Sequence, residues 1–308
     1  MTPPFPHFGE TMALFAAFIF SWTSIFFTEA GQRLGVRVVN LVRLPAGVLC
    51  LALAHMALNG RWWPAEMGWQ EQVWIGMSGV AGLAIGDSAL FSAFTSIGPR
   101  RSMTVMALSP VFTVMVAWSL LGEHLGPRAL FGIVVIIGGV MMATMGRGGG
   151  SGRFRDLSKT TLRTGLLMAL IGAAGQGLGS VFAKQGMGPT GGGIDPLGAT
   201  LVRMSWAAIA YWAVLLPSTS ARDVRDRLRD RRGSLALVIA ILLGPFISVW
   251  ISLVAIKHTE AGVAQVLLGM VPVFVLVPAW LVHRDRPTVL SLLGVIMAMG
   301  GGAVLFLR

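Results

Sequence analysis

An α-helix needs about twenty mostly apolar residues to cross a lipid bilayer, and this chain carries ten such runs. They fall at 10–30, 38–58, 72–96, 102–121, 128–146, 163–184, 196–216, 234–256, 260–282 and 288–307. Little chain is left over to build the polar skin of a soluble domain. Charged residues make up 12% of the 308, where an ordinary soluble domain has about 25%, and the mean hydropathy is +0.74. The sequence therefore predicts an all-α polytopic membrane protein with the bilayer as its main partner, and it excludes an ordinary soluble enzyme. Residues 1–10 contain no Lys or Arg, so the positive start of a signal peptide is missing and the first run is expected to remain as a span.

The second half of the chain repeats the first. Ser109-Pro110-Val111-Phe112 aligns with Val271-Pro272-Val273-Phe274 at an offset of 162, and Ala117-Trp118 with Ala279-Trp280. The same offset pairs Glu123 with Asp285, Gly132 with Gly294, and Gly138-Gly139 with Gly300-Gly301. Leu41-Val42-Arg43 matches Leu201-Val202-Arg203 at 160, and Glu29 matches Lys184 at 155. Five spans per half is an odd number, so the second copy must enter the membrane in the opposite sense. This predicts two inverted five-helix repeats, 1–146 and 163–308. They are joined by a basic linker, 147–162, that holds the flexible Gly148-Gly149-Gly150-Ser151-Gly152. Inverted repeats are a transporter architecture, with the binding site near the midplane between the copies.

The net charge of +11 is read as the loop bias of a membrane protein rather than as a nucleic-acid surface. Of the 24 Lys and Arg, 17 lie in or beside the odd-numbered connections, 5 lie on the other side, and Arg43 and Arg203 lie inside spans. On the positive-inside rule the odd-numbered connections are cytoplasmic and both termini extracytoplasmic, in the plasma (inner) membrane of a prokaryote. The single cysteine, Cys50, excludes an intrachain disulfide and a cysteine metal site. No cofactor, metal or obligate protein partner is indicated. Trp62, Trp63, Trp69 and Trp74 cluster at one predicted boundary, as an interfacial belt does.

The arrangement resembles the drug/metabolite transporter superfamily, specifically its EamA-type permeases. The likeness rests on a Pro-Val-Phe, Ala-Trp and acidic segment running into a Gly-rich helix, present at 110–139 and again at 272–301. It also rests on Arg43 and Arg203 in the second helix of each half, on Trp22, and on Gly86-Asp87-Ser88-Ala89-Leu90-Phe91. The second copy departs from it with His283-Arg284-Asp285 in place of Leu121-Gly122-Glu123, and Gly177 stands opposite Trp22. The resemblance implies a carrier of small organic solutes such as amino acids, related metabolites or drug-like compounds. Export is the expected direction, and some members use protons.

A charge inside hydrocarbon costs at least about 2.5–3.5 kcal/mol, so Arg43, Asp87 and Arg203 need explanation first. Asp87 has Val249 as its repeat mate. It reads either as a proton-titrating or substrate-contacting carboxylate, or as a partner that locks Arg43. Arg43 and Arg203 suit gating, anion contact or snorkelling to headgroups. Gln176, Ser180 and Lys184 recur every four residues and share one helix face. Ser21, Ser24 and Thr28 form a similar stripe, as do Ser88, Ser92 and Thr95, and Ser248 with Ser252. These faces predict a central cavity, or else interhelical hydrogen bonds worth about 0.6 kcal/mol each. Pro110 and Pro272 interrupt equivalent spans, which points to the substrate site. Met106, Trp22, Trp250, Gln265 and Met270 are candidate lining residues between spans one, three, four, six, eight and nine. Gly82 with Gly86 and Gly175 with Gly179 have the spacing for close helix approach.

A secondary transporter is thus expected. The alternative is a membrane-embedded enzyme acting on a lipid or isoprenoid substrate. It lacks the motifs it needs, because the five histidines are scattered and there is no H-E-x-x-H or G-x-S-x-G. No phosphate-binding loop is present for ATP.

Overall fold

The computed structural model describes residues 5–97, 102, 105–145, 158–188, 194–215, 220–274 and 288–306. These residues form helices and connections, with no strand among them. Six helices are long and apolar enough to cross a membrane: Phe8–Leu34, Arg37–Asn59, Trp69–Leu90, Lys159–Met187, Pro196–Val214 and Arg231–His258. Shorter apolar helices cover Ser109–Leu121, Pro127–Ala143 and Leu292–Val304. Most of the expected linker, up to residue 157, lies outside the described residues, as does 275–282 of the ninth predicted run.

Local chemistry sets the ends. Helices α1 (Phe8–Leu34) and α2 (Val36–Asn59) are separated by Gly35 alone, which turns the chain at φ 87°. Gly60 ends α2 in the left-handed region at φ 69°, a conformation that costs glycine little. Helix α7 (Lys159–Met187) starts at Ser158, whose hydroxyl accepts from Thr161 N at 3.1 Å. The charged segment at 222–232 forms a short exposed helix, α9 (Ala221–Arg227), followed by α10 (Arg231–Ile241). Asp230 caps α10, accepting from Arg232 N at 3.0 Å and Gly233 N at 3.1 Å, and it meets Arg33 at 3.5 Å. The Gly233 N–H above all, with the Arg33 charge and the Arg232 N–H, holds its carboxyl below the usual range. Because the folded value is depressed, this contribution is present above the ordinary carboxylate value of about 4 and is lost as pH falls below it. The melting-point difference between wild type and Asp230→Ala should therefore be constant above about pH 5 and shrink towards pH 3.

The two halves interrupt their helices at matching places. Helix α3 (Trp69–Gly79) continues through a π-helical segment, Val80–Gly86, into α4 (Asp87–Ile97). Helix α10 continues through a second π segment, Leu242–Ser248, into α11 (Val249–His258). The two π segments are related by the offset of 162 residues seen in the sequence. The breaks in the next span correspond too. Leu108 N donates to Val105 O at 3.0 Å and Val111 N to Leu108 O at 2.9 Å; Met270 N donates to Leu267 O at 3.1 Å and Val273 N to Met270 O at 2.9 Å. Each break is followed by a proline helix, α5 (Ser109–Leu121) in the first half and α13 (Val271–Phe274) in the second, the latter after α12 (Ala261–Leu268). Pro110 thus does not kink a continuous helix. It sits in the first turn of a new one, where its missing N–H has no partner to lose.

Packing follows the same exchange. α7 lies against α3, the first π segment, α4 and α5, while α1 lies against α10, the second π segment, α11 and α12. α2 packs on α8 (Pro196–Leu215), and α6 (Pro127–Met145) on α14 (Val289–Phe306). Glycine permits the closest approaches. A Cβ on Gly175 would lie 2.6 Å from Ala81 O, and one on Gly179 3.1 Å from Gly82 Cα, so the two expected glycine pairs meet each other. Between α6 and α14, a Cβ on Gly139 would lie 2.4 Å from Ala298 N and 2.7 Å from Gly294 O. Its repeat mate Gly301 approaches Gly132 O in the same way, at 2.9 Å. Gly139→Ala should therefore destabilise by about 1–3 kcal/mol through overpacking. An unchanged melting point in detergent would mean that these helices do not touch there.

Core clusters around Ile136, Val263 and Leu267, and around Leu44, Leu201 and Met204, fill the interior. Large apolar side chains face outward, including Phe131, Val134, Ile209, Val214 and Ile296. They are the surface that a bilayer would solvate. Trp62, Trp63 and Trp69 are exposed together at the α2–α3 connection, and Trp74 packs against Phe182 at 5.5 Å.

Candidate functional site

The polar stripe of α7 organises the interior. Gln176, Ser180 and Lys184 are four residues apart and point the same way, and each meets a different set of partners.

Gln176 belongs to a centre built on Asp87. Arg43 Nη2 donates to Asp87 Oδ2 at 2.6 Å, and Gln176 Nε2 donates to Asp87 Oδ1 at 2.8 Å and to Gly82 O at 3.2 Å. Asp87 is the first residue after the first π segment, and its own N–H bonds back to Gly82 O. The widened turn places the carboxylate against both α2 and α7. π segments are frequent at functional positions for this reason. The side chains of Arg43 and Asp87 are 9% and 14% exposed, so the pair is shielded from solvent. Phe27 of α1 lies 5.8 Å from the guanidinium carbon, within cation–π range. Tyr211 of α8 is in reach of Asn40, Ser88 and the Arg43 charge.

Ser180 donates to Gln265 Oε1 at 2.5 Å, and Gln265 Nε2 donates to Ser109 Oγ at 2.9 Å. This chain ties α7 to α12 and to the first residue of α5, beside Pro110. Because Ser180 Oγ also bonds to Gln176 O at 3.0 Å, the Asp87 centre and the Gln265 chain form one buried network across both halves.

Lys184 anchors a third group at one end of the bundle. Its Nζ meets Glu123 Oε1 at 2.7 Å and donates to Thr259 O. Glu123 accepts from Ala261 N, at 2.9 Å to one oxygen and 3.2 Å to the other, and so caps α12. Thr259 Oγ1 donates to the buried Glu10 at 3.0 Å. Four helices of the two halves are stapled together here.

The structure brings together Arg43, Asp87 and Gln176, then Ser180 and Gln265, then Lys184. Other expected residues lie differently. Ser24 donates to Ser21 O at 2.7 Å, Ser88 to Ala84 O at 2.5 Å, Ser92 to Ser88 O at 2.9 Å and Ser252 to Val249 O at 2.7 Å. These hydroxyls bond to their own helices, as serine commonly does there. Ser248 is buried with no partner for its hydroxyl among the described residues. Trp22 and Met106 are half-buried, Pro110 is buried, Trp250 stacks on Phe246 at 6.3 Å, and Met270 is in the core. The side chains of Thr28, Thr95 and Pro272 lie outside the described residues. Arg203 is 4% exposed, so it does not snorkel to a headgroup.

Sequence reasoning passed over Ser109, Glu10, Thr259, Asn40 and Tyr211. Two of them left a trace: Tyr211 is the only tyrosine in a chain with 26 Phe and Trp, and Glu10 opens the first apolar run.

Comparison with known proteins follows the same division of the chain. The family model of the EamA-like transporter family matches residues 7–145 and again residues 163–307. No curated protein matches the chain in sequence. A solved structure described as "Crystal structure of protein" superposes with a TM-score of 0.73 at 20% sequence identity. The match covers 96% of this chain and 94% of that one, and it speaks for a shared fold.

Proposed function

We infer that this chain, which belongs to the EamA-like transporter family, carries a small organic solute across a lipid bilayer by alternating access between two inverted repeats of five spans. The observation that carries this reading is the buried polar network from Arg43 to Gln265. Within a bundle this apolar, hydrogen-bonding side chains gathered across the two halves are retained against a standing cost, and intramembrane charges mark pathways for solutes and ions.

Three further features support the inverted arrangement. The halves each hold an odd number of predicted spans. Their π segments and helix breaks are 162 residues apart. Each half packs its first helix on the third and fourth spans of the other half, α1 on those of the second and α7 on those of the first, as a two-fold axis would require. Rocking one half against the other would expose the Asp87 centre to alternate sides while the Lys184 group opens and closes one end. Asp87 is the group we assign to proton coupling. The buried carboxylates Asp87 and Glu123 are each bonded to a cation and do not face each other, which gives no support to lipid or isoprenoid chemistry.

The test is flux in reconstituted liposomes with a panel of amino acids, organic acids and amines, in both directions, with and without a pH gradient. The reading expects saturable movement of at least one solute. No flux for any of them, with turnover of a lipid, would contradict it.

A further inference from the structure

Arg203 is a buried cation with no ion pair of its own among the described residues; the nearest acid acting on it, Asp87, is already bonded to Arg43. Its guanidinium has no hydrogen-bond or ion-pair partner among the described residues, and its Nε is fully enclosed and unmatched. The repeat shows why. Arg43 and Arg203 are mates at offset 160. Arg43 has Asp87, whereas the mate of Asp87 at offset 162 is Val249. Val249 is buried in the same cluster as Leu201 and Met204, which flank Arg203 along α8. One of two symmetry-related arginines is therefore bonded to a carboxylate of its own half, and the other has only the more distant charge of that same Asp87. Both oxygens of Asp87 are taken by Arg43 and Gln176. Arg43, Asp87 and Arg203 together leave one positive charge inside the bundle. A buried charge is tolerated only where something pairs with it.

The guanidinium also packs closely against the contact between the halves. Gly82 stands in the first π segment, and a Cβ built on it would lie 3.0 Å from Arg203 Nη2, 3.7 Å from Gly175 O and 3.8 Å from Gln176 Oε1. The absent side chain is what lets the guanidinium lie against the place where the first π segment meets α7. Gln176, bonded to Gly82 O and to Asp87, links that contact to the Asp87 centre.

We propose that Arg203 is the anchor for the carboxylate of the transported solute, a small organic monoanion or amino-acid zwitterion. This rests on the transporter reading above. A planar guanidinium matches a carboxylate with two parallel N–H···O bonds. An inorganic anion offers the charge without that fit, and the experiment separates the two.

The purified full chain in detergent is melted with benzoate, 4-methylvalerate, L-leucine and L-phenylalanine, with the carboxamide of each, and with sodium chloride and nitrate. At least one carboxylate raises the melting point and binds about ten- to a hundredfold more tightly than its amide, the range expected for charge-assisted hydrogen bonds. Arg203→Gln removes that response and Arg203→Lys keeps a weaker one. Val249→Asp restores the pairing of the first half: it raises the melting point without ligand and abolishes the carboxylate response, while Val249→Asn does neither. The proposal is overturned if acid and amide act equally, if chloride or nitrate alone reproduces the shift, if Arg203→Gln responds like wild type, or if Val249→Asp binds carboxylate unchanged. The transporter reading fails separately. An Arg203-dependent carboxylate response without flux of any solute would keep the site and overturn transport, and flux without that response would do the reverse.

Discussion

Arg43→Ala and Asp87→Ala are each expected to destabilise the protein by about 3–5 kcal/mol, while Arg43→Leu combined with Asp87→Leu costs far less than the sum. The reason is the asymmetry of buried ion pairs. Removing one member leaves the other as an uncompensated charge in a site that is 9% exposed on one side chain and 14% on the other. Removing both leaves only a packing change. Thermal or denaturant unfolding in detergent measures the three variants and the coupling between them. Additive effects would mean that the pair is solvated and carries little weight. Asp87→Asn keeps the shape of the side chain and an acceptor for Gln176 but forfeits the countercharge of Arg43, so it too should be destabilised. In the fraction that inserts and folds, flux should lose its dependence on a pH gradient. A pH-driven flux equal to wild type would leave Asp87 a purely structural residue.

Lys184→Met is the second large effect, also about 3–5 kcal/mol, because it strands Glu123 beside the start of α12. Glu123→Gln and Glu123→Ala divide that group further. Glutamine keeps an oxygen for Ala261 N and loses only the ion pair. Alanine loses the helix cap as well, a further contribution of about 0.5–2 kcal/mol. The pair is 9% and 11% exposed, so moderate salt should not diminish these differences as it would for surface pairs. Movement is tested with Gln265→Cys in a Cys50→Ser background, since Cys50 is the only native cysteine. If the Lys184 group closes this end of the bundle, Glu123→Gln will speed alkylation at 265. Equal rates would mean that the group only holds helices together.

The sequence was most informative where a physical constraint acts on many residues at once. Crossing hydrocarbon demands long apolar runs, and among the described residues helices occupy those runs. Charges in such runs are conspicuous, so Arg43, Asp87 and Arg203 stood out, and the four-residue spacing of Gln176, Ser180 and Lys184 placed them on one face. The EamA-type resemblance, stated from the twofold Pro-Val-Phe segment, was matched by the family model over both halves.

The features that were missed depend on backbone detail or on contacts between distant segments. A π segment differs from an α-helix by one residue in one turn. Its trace here was only that Gly82 and Gly244 are repeat mates in the right place, with Pro245 beside the second. Pro110 reads only as an interruption, because a proline inside an apolar run looks the same whether it bends a helix or starts one. The hydroxyl stripes looked like cavity walls, yet Ser24, Ser88, Ser92 and Ser252 are satisfied by carbonyls of their own helices, which periodicity does not reveal. Thr259 and Glu10 are 249 residues apart and meet only because α1 packs against the second half.

The central claim is a carrier that exposes one site to each side in turn. It is tested most directly by solute counterflow in liposomes that contain the purified protein. Unlabelled solute loaded inside should accelerate the entry of labelled solute outside, and entry should saturate with concentration. Entry that is unaffected by internal solute and rises linearly with concentration would contradict alternating access.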